Sequence, residues 1–382
     1  MKPRFLSIKS SRPSKPRGRV RYAVVGLGHL AQNSILPAFA NAGVNSELAA
    51  LISDDPVKLK VLSRRYGVAN CFSYDDYEVC LRSGEIDAVY IALPNNLHRN
   101  YCGRAAEAGI HVLCEKPLAV TEEECQHIVH ACAENDVKLM TAYRLHFERG
   151  NLEAMEMVRS GRIGDPRIFN SVFTMQVRKG NIRTDVAYGG GTLYDIGVYC
   201  INAARYIFGD EPVEGFCLAA ANSDPRFRKV EEITSAILRF PKARLASFTA
   251  SFGAADTADF EVIGTKGRLR ACQAYDYAMP VILELTVEGR TQRKFYPLRD
   301  QFAPELIYFS NCILHDREPE PSGIEGLRDV HIIRSLYQSI STRKPVELEQ
   351  IQRLHRPSLK QEIYRRRVKS PKLVHVAPPT LR

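Results

Sequence analysis

Short apolar runs alternate with longer stretches of helical spacing over residues 21–142. Apolar side chains that recur every three or four positions indicate amphipathic helices, and brief apolar runs between them indicate buried strands. This alternation predicts βαβ units built on a parallel sheet. The predicted strands are Arg21–Val25, Glu47–Ile52, Ala88–Leu93, His111–Cys114 and Lys138–Thr141, and the predicted helices are Ile35–Ala42, Pro56–Tyr66, Tyr101–Ala108 and Glu122–Glu134.

The pattern changes after about residue 150, where strand-like runs follow one another too closely for crossover helices. Such spacing predicts a large, open, mostly antiparallel sheet in an α+β domain. The predicted elements are helices Leu152–Ser160 and Leu193–Phe208, a strand near Arg167–Val177, strands Thr234–Phe240, Arg244–Phe252, Phe260–Ile263, Val281–Leu285 and Arg293–Pro297, and helices near 301–315 and 323–342.

A net charge of +10 on 382 residues raises the question of nucleic acid, but the charge is unevenly placed. Residues 1–21 and 352–382 hold 17 basic side chains and one acid, which leaves 36 basic and 42 acidic side chains in the body. We therefore expect basic tails at 1–20 and 346–382, flexible or wrapped on a partner subunit, and no nucleic-acid-binding core. A weaker alternative makes the tails themselves a binding device for nucleic acid or an acidic surface.

The remaining composition indicates a cytoplasmic protein. Ten cysteines are scattered singly, as in proteins of a reducing compartment, and none has the spacing of a metal site. The basic N-terminus is not followed by the apolar segment of a signal peptide. No apolar run approaches 18 residues, so we expect no membrane span.

A glycine loop, Gly26-x-Gly28-x-x-Ala31, directly follows the first predicted strand and opens the first helix. The first glycine permits a tight turn, the second permits close approach of a pyrophosphate, and the small third residue permits close packing of helix on strand. Phosphates then bind the free N–H groups at the helix N-terminus. The loop, including His29 and Leu30, therefore predicts a Rossmann domain that binds NAD or NADP.

The choice between NAD and NADP depends on the end of the second strand. Asp54 favours NAD, because an acid there accepts hydrogen bonds from the ribose hydroxyls and repels a 2′-phosphate. Ser53 and Lys58 favour NADP, because both can hold a 2′-phosphate. Asp54 or Asp55 can instead cap the helix that begins at Pro56. The sequence leaves the cofactor open between NAD and NADP.

Two further polar segments follow parallel strands, at the sheet edge where such folds bind ligands. Pro94, Asn95 and His98 follow the third strand, and Glu115-Lys116-Pro117 follows the fourth. A lysine fixed beside a nicotinamide can hydrogen-bond a substrate hydroxyl, although an isolated Glu-Lys-Pro is more often a solvated turn.

A third segment, Gly189-Gly190-Gly191 followed by Asp195 and Tyr199, precedes a predicted helix. Residues four apart on a helix face the same way, and an Asp–Tyr pair with a lysine can carry out proton transfer. Spacing alone favours an ordinary amphipathic helix with a half-buried Tyr199.

Taken together, G-x-G-x-x-A, P-N-x-x-H, E-K-P and G-G-G-x-x-x-D-x-G-x-Y, in this order, resemble the glucose-fructose oxidoreductase / inositol dehydrogenase (Gfo/Idh/MocA) family over about residues 21–345. The resemblance implies a Rossmann domain at 21–147 and a substrate-binding and dimerisation domain at 148–345. It implies hydride transfer between a nicotinamide and a sugar, polyol or related carbonyl, in a homodimer or homotetramer.

The resemblance also implies roles for single residues. Lys116, Asp195 and Tyr199 match the family's catalytic lysine, substrate-binding acid and proton-transferring residue. Tyr199, where many members have histidine, is similar to the glucose-fructose oxidoreductase branch. His98 is expected near the nicotinamide, and Tyr143 with Arg144 is expected to line the substrate pocket. No metal is expected, because the lysine supplies the positive charge.

Two other functions stay open at this point. One is a non-catalytic sensor that keeps the dinucleotide fold and binds a sugar or a protein, which the joint presence of Lys116, Asp195 and Tyr199 disfavours. The other is a reductase of a non-sugar carbonyl in the same family, which the fold does not exclude.

Overall fold

The computed structural model describes residues 18–349, 351 and 357–381. Its first layer is a six-stranded, all-parallel sheet in the order β3-β2-β1-β4-β5-β6, which is the strand order of a Rossmann domain. The predicted parallel sheet is therefore confirmed. The strands are β1 (Val20–Val25), β2 (Ser46–Ile52), β3 (Asn70–Phe72), β4 (Ala88–Ile91), β5 (His111–Glu115) and β6 (Leu139–Ala142).

Helices pack on both faces of this sheet and bury apolar side chains against it. The Thr121 capping box is present: the hydroxyl of Thr121 accepts from the amide of Glu124, whose carboxylate accepts from the amide of Thr121. The helices are α1 (Leu36–Ala42, preceded by a π-type turn at Ala31–Ile35), α2 (Pro56–Tyr66), α3 (Tyr77–Leu81), α4 (His98–Glu107) and α5 (Glu122–Glu134). The sequence pattern did not predict β3 and α3, which are only three and five residues long.

The second sheet has nine strands in the order β14-β13-β12-β11-β7-β10-β9-β8-β15. Only the β7–β10 pair is parallel, so the predicted, mostly antiparallel sheet is confirmed. Three of its strands were not predicted: β8, β12 and the two-residue β15. The strands are β7 (Pro166–Thr174), β8 (Glu214–Ala220), β9 (Ile233–Phe240), β10 (Arg244–Ser251), β11 (Thr257–Gly264), β12 (Gly267–Cys272), β13 (Val281–Val287), β14 (Arg290–Tyr296) and β15 (Val346–Glu347).

One face of this sheet is covered by α6 (Arg149–Arg159) and α7 (Val198–Phe208), which form the core with buried Phe169, Phe248 and Leu238. A π-type turn at Leu193–Gly197 leads into α7. The opposite face is open, and the exposed apolar side chains there are Ile168, Val172, Leu218, Ile237 and Leu245.

Helix α8 (Ala303–Leu314) packs on the first sheet, whereas α9 (Gly323–Thr342) packs on both sheets. Leu327 and Val330 of α9 join the core of the first sheet, and Ile332, Ile333 and Leu336 join the core of the second. On α8, the hydroxyl of Ser310 lies 2.8 Å from those of Tyr22 and Ser46. On α9, a side chain at Gly326 would meet Leu118 and Thr141 at 2.7 Å. After the second sheet the chain thus returns to the Rossmann domain, and the predicted division at residue 147 stays a prediction.

The C-terminal residues 357–381 lie along the body of this same chain. They form an isolated bridge with Arg299 and another with Val177, and Gln32 bonds both backbone groups of Val374. These residues therefore have hydrogen-bonding partners on both domains of their own chain, and the wrapping of the tail on a partner subunit stays a prediction. The predicted N-terminal tail, residues 1–20, lies almost wholly outside the described residues.

Candidate active site

A cleft of about 890 Å³ opens where the carboxyl ends of the parallel strands face the second sheet. This volume is near the upper end of the range for ligand pockets and suits a dinucleotide with a small substrate. The cleft lining includes most of the predicted cofactor residues: Gly26, Gly28, His29, Leu30, Ala31, Ser53, Lys58, Pro94, Asn95, Glu115 and Lys116.

The glycine loop has the backbone that a pyrophosphate requires. Gly26 has φ +94°, and a Cβ there would lie 2.6 Å from the carbonyl oxygen of Ala92. A Cβ at Gly28 would meet nothing within 4 Å, so the backbone there borders open space at the start of a helical turn. Burial and the nearby charge of Arg183 lower the pKa of His29. These residues fit the dinucleotide that the motif predicts.

The two acids after β2 have separate roles. The carboxylate of Asp54 is exposed, accepts a 2.8 Å bond from the amide of Tyr74, and does not line the cleft. Asp55 caps α2, accepting from the amides of Val57 (2.9 Å) and Lys58 (3.0 Å). The capping role that the sequence left open belongs to Asp55, and Ser53 and Lys58 line the cleft without Asp54.

His98 is placed differently from the expectation that it lies near the nicotinamide. Its side chain is fully buried, and its two ring nitrogens each lie 3.0 Å from a carbonyl oxygen, of Leu93 and of Pro117. His98 does not line the cleft, and no atom of it is free to contact a ligand. It instead ties together the chain segments that leave β4 and β5.

Lys116, Asp195 and Tyr199 meet at the centre of the cleft. The ammonium of Lys116 donates to the backbone carbonyl of Asp195 at 2.6 Å and lies 3.5 Å from its carboxylate. The same ammonium lies 4.7 Å from the ring centroid of Tyr199. Lys116 and Tyr199 are 83 positions apart in the sequence. The three residues come from two domains and form one cluster around the ammonium of Lys116.

Arg183 completes this cluster, although no motif in the sequence marks it. Its Nε donates to the carboxylate of Asp195 at 2.6 Å. A side chain at Gly190 would lie 2.5 Å from the carbonyl oxygen of Arg183, so the glycine lets the segment of Arg183 approach the helix of Asp195. Burial opposes ionisation of Asp195, but Arg183 and Lys116 overcome it and hold its pKa below the usual value.

Arg144 lies beside Tyr199, on the short helical turn that follows β6. Its guanidinium is buried and donates to the side chain of Gln301 and the carbonyl of Tyr275. It stacks 5.1 Å from the ring centroid of Tyr199 and 5.2 Å from that of Tyr277. Such cation–π contacts fix both the cation and the ring. Tyr143, by contrast, points away from the cleft and donates to Asp329 at 2.6 Å.

Gln301, Tyr275 and Tyr277 also line the cleft, and the C-terminal residues Arg367, Val368, Ser370 and 376–380 border it. No motif marks any of them in the sequence, because each is brought to the site by tertiary packing alone. Within the described part of the chain, no group of three or more potential ligands is arranged to hold a metal ion. Over the same residues, no helix is long and apolar enough to cross a membrane.

Comparison with known proteins agrees with this geometry. The Gfo/Idh/MocA family model described as an oxidoreductase family with an NAD-binding Rossmann fold matches residues 20–143, and the family's C-terminal domain model matches residues 151–270. The chain belongs to the Gfo/Idh/MocA family. It is therefore an NAD(P)-dependent oxidoreductase, as the motifs predicted.

Similar members of the Gfo/Idh/MocA family act on sugars. A D-xylose 1-dehydrogenase [NADP(+)] from Haloarcula marismortui is 32% identical over 337 residues, which span 86% of this chain and 93% of the relative. The structure of an aldose-aldose oxidoreductase from Caulobacter crescentus complexed with glycerol has a TM-score of 0.83 and 35% identity, covering 86% of this chain and 100% of that one. A 3-ketoreductase from Actinomadura kijaniata, complexed with TDP-benzene and NADP, has a TM-score of 0.77 and 26% identity, covering 84% of this chain and 98% of that one.

Proposed function

We propose that this protein is an NADP-dependent sugar oxidoreductase in which Tyr199 acts as the acid/base and Lys116 stabilises charge on the reacting oxygen. The observation that carries the proposal is the meeting of Lys116, Asp195 and Tyr199 at the centre of the cofactor cleft. Relatives that act on aldoses support the substrate class.

The residues of the cluster divide the chemistry among them. When bound, the nicotinamide accepts or supplies the hydride at the carbon that is oxidised or reduced. In the reductive direction the hydroxyl of Tyr199 donates its proton to the carbonyl oxygen as the carbon gains the hydride and the C=O bond becomes a single bond, and oxidation is the reverse. The ammonium of Lys116 stabilises the negative charge that develops on that oxygen. Asp195, held between Lys116 and Arg183, orients the sugar by accepting a hydrogen bond from a neighbouring hydroxyl of the substrate.

NADP is favoured over NAD because, among the residues that the structure describes, no carboxylate borders the cleft beside Ser53 and Lys58, where the adenosine ribose would lie. Asp54 is bonded to the amide of Tyr74, and Asp55 is occupied by the cap of α2. Ser53 and Lys58 remain on the cleft and suit a 2′-phosphate. The NADP named or bound in two of the relatives supports the same choice.

A substrate screen tests this function. The purified protein is mixed with NADP or NAD and with single aldoses, polyols and non-sugar alcohols, and reduced nicotinamide is followed by its absorbance. We expect reduction with at least one aldose, faster with NADP, and loss of the signal in Lys116→Ala. Binding of NADPH without turnover on any sugar or polyol would overturn the proposal and favour a sensor.

A further inference from the structure

The C-terminal residues 365–381, here called the C-terminal strap, cross the mouth of the cleft from one domain to the other. On the Rossmann side, Gln32 donates to the carbonyl of Val374 at 2.9 Å and accepts from its amide at 2.8 Å. The ring of His375 lies 3.1 Å from the carboxylate of Asp55, and Arg65 donates to the carbonyl of Lys372 at 2.8 Å. The strap is thus fastened beside the glycine loop and at the N-terminus of α2.

The far end of the strap is fastened to the second domain. The amide of Arg178 donates to the carbonyl of Pro379 at 2.9 Å, and its Nε donates to that of Thr380 at 2.6 Å. The amide of Leu381 donates to the carbonyl of Gln176 at 3.0 Å. Only four peptide units separate His375 from Pro379, and they span at most about 14 Å. The segment between them therefore runs directly across the gap between the domains.

The residues that cross the gap form part of the cleft lining. Val376, Ala377, Pro378 and Pro379 all border the cleft, as do Arg367 and Ser370 nearer the start of the strap. The two prolines limit the backbone freedom of this crossing, so less entropy is lost when it is held in place. The glycine loop and this segment therefore line the same cleft.

The charge of the strap matches a dinucleotide. Residues 365–381 contain five lysines and arginines and no acid, in a chain whose body is acidic. The pyrophosphate and 2′-phosphate of NADP are anionic, and Arg367, which is the one of these five residues that borders the cleft, brings positive charge to the site. The C-terminal family domain matches only residues 151–270, so the strap lies outside both matched domains.

We infer that the C-terminal strap is a binding element of the dinucleotide site, which covers NADP from the side opposite the glycine loop and retains it in the cleft. The inference rests on the proposed function only for the identity of the cofactor. Release of NADP then requires the strap to detach from at least one domain. The side chains of His375 and Arg178 each hold one end of the crossing, so loss of both is expected to loosen it, while the bonds of Gln32 and of the backbone amides of Arg178 and Leu381 remain.

Dissociation kinetics test the inference directly. NADPH is bound to the full chain, a large excess of NADP is added, and the loss of nicotinamide fluorescence gives the dissociation rate. In the double variant His375→Ala/Arg178→Ala we expect dissociation at least ten times faster than in the wild type. Lys369→Ala is the matched control, since it removes a positive charge from an exposed strap residue that does not border the cleft. It is expected to stay within about twofold of the wild type.

A second measurement needs no variant and guards against a folding defect. Trypsin cleaves after Lys369 and Lys372 in the strap, and saturating NADPH is expected to slow that cleavage at least fivefold while cleavage at other sites is unchanged. Wild-type dissociation in the double variant, or strap cleavage indifferent to NADPH, would overturn the inference. Neither measurement involves a sugar, so a failed substrate screen beside slow NADPH release would discard only the proposed sugar chemistry.

Discussion

The ammonium of Lys116 and the phenol ring of Tyr199 lie together across the cleft, with 4.7 Å between the nitrogen and the ring centroid. The same ammonium bonds the backbone carbonyl of Asp195 at 2.6 Å, which holds it in this position. The cation therefore lies against the ring of the proposed acid/base, where it can stabilise charge on the reacting oxygen of the substrate.

Tyr199→Phe separates the chemical role of this residue from its packing. The ring and its edge-to-face contact with Phe173 are kept, while the proposed proton-transferring hydroxyl is lost. We expect the turnover number for the sugar to fall at least about 100-fold, the usual scale for a lost general acid/base. The dissociation constant for NADPH, from fluorescence titration, is expected to change less than threefold. Tyr188→Phe is the control, because Tyr188 also borders the cleft but is exposed at its rim; an equal loss there would refute a specific role for Tyr199.

Arg144→Met tests the cation on the other side of Tyr199. The variant loses the bonds to Gln301 and to the carbonyl of Tyr275, together with the charge over the ring. We expect kcat to fall about 10- to 100-fold. Arg144→Lys keeps the charge but not the paired hydrogen bonds of the guanidinium, and its kcat is expected to be intermediate. Steady-state kinetics of the wild type and of both variants measure this effect. An unchanged kcat in Arg144→Met would mean that Arg144 has only a structural role.

Lys58→Ala tests the proposed NADP preference. If the ammonium of Lys58 binds the 2′-phosphate, its removal raises the KM for NADP about tenfold, equivalent to about 1.4 kcal/mol, and leaves the KM for NAD nearly unchanged. Asp54→Asn is the matched comparison, and we expect little effect on either cofactor because Asp54 does not border the cleft. A large gain in NADP use by Asp54→Asn would show that the acid does face the ribose.

Glu305 gives a prediction about stability and pH. Burial and the negative charge of Glu115 raise the pKa of Glu305 well above its usual value. The folded protein therefore holds this proton to a higher pH than the unfolded chain does, which loses it above about pH 4.3. Because the folded state binds more protons, Glu305 lowers the free energy of unfolding as the pH rises above that value.

Glu305→Gln removes this cost, since an amide does not ionise in either state. At pH 8 we expect the free energy of unfolding of the variant to exceed that of the wild type by about 1 kcal/mol or more. We expect the difference to disappear near pH 4. Urea denaturation across this pH range measures it, and Glu107→Gln, at an exposed position, is the control. A variant less stable than the wild type at pH 8 would mean that Glu305 is ionised in the folded protein.

The open face of the nine-stranded sheet supports a prediction about assembly. Ile237 and Leu245 are each half exposed on adjacent strands, and exposed apolar patches of this kind mark interfaces. We propose that two copies pair through this face. Ile237→Asp/Leu245→Asp is then expected to convert a dimer to a monomer in analytical ultracentrifugation, while Val79→Asp, on exposed α3, leaves the mass unchanged. A wild-type monomer would remove the proposal.

The elements that sequence could predict are those with local signals. The glycine loop, the Thr121 capping box and the alternating patterns each depend on residues within a few positions of one another. The unpredicted β12 illustrates the limit, because only Leu269 and Ala271 of this six-residue strand face the core, between exposed arginines. Its pairing with β11 and β13, rather than its own hydrophobicity, makes it a strand.

The site could be predicted only where motif and strand end coincide. Lys116, Asp195 and Tyr199 follow recognisable patterns, but Arg183 lies in an irregular segment and reaches Asp195 through the packing of Gly190. His98 shows the opposite failure. It follows a strand as a ligand-binding residue would, yet the carbonyls of Leu93 and Pro117 occupy its ring. Both positions depend on contacts between residues far apart in the sequence, which a local sequence pattern does not contain.

The π-type turn at Leu193–Gly197 makes the length of this segment as important as its composition. A π-type turn holds one residue more than an α-helical turn, and each residue of an α-helix advances the chain about 100° around the axis. If one residue were deleted here, the π-type turn would become an ordinary helical turn. The residues that precede the deletion would then rotate about the helix axis relative to α7. Asp195 and the glycines would turn away from Arg183 and Lys116. A homologue with every motif residue intact but one position fewer between Gly191 and Val198 would therefore present a different side chain to its substrate.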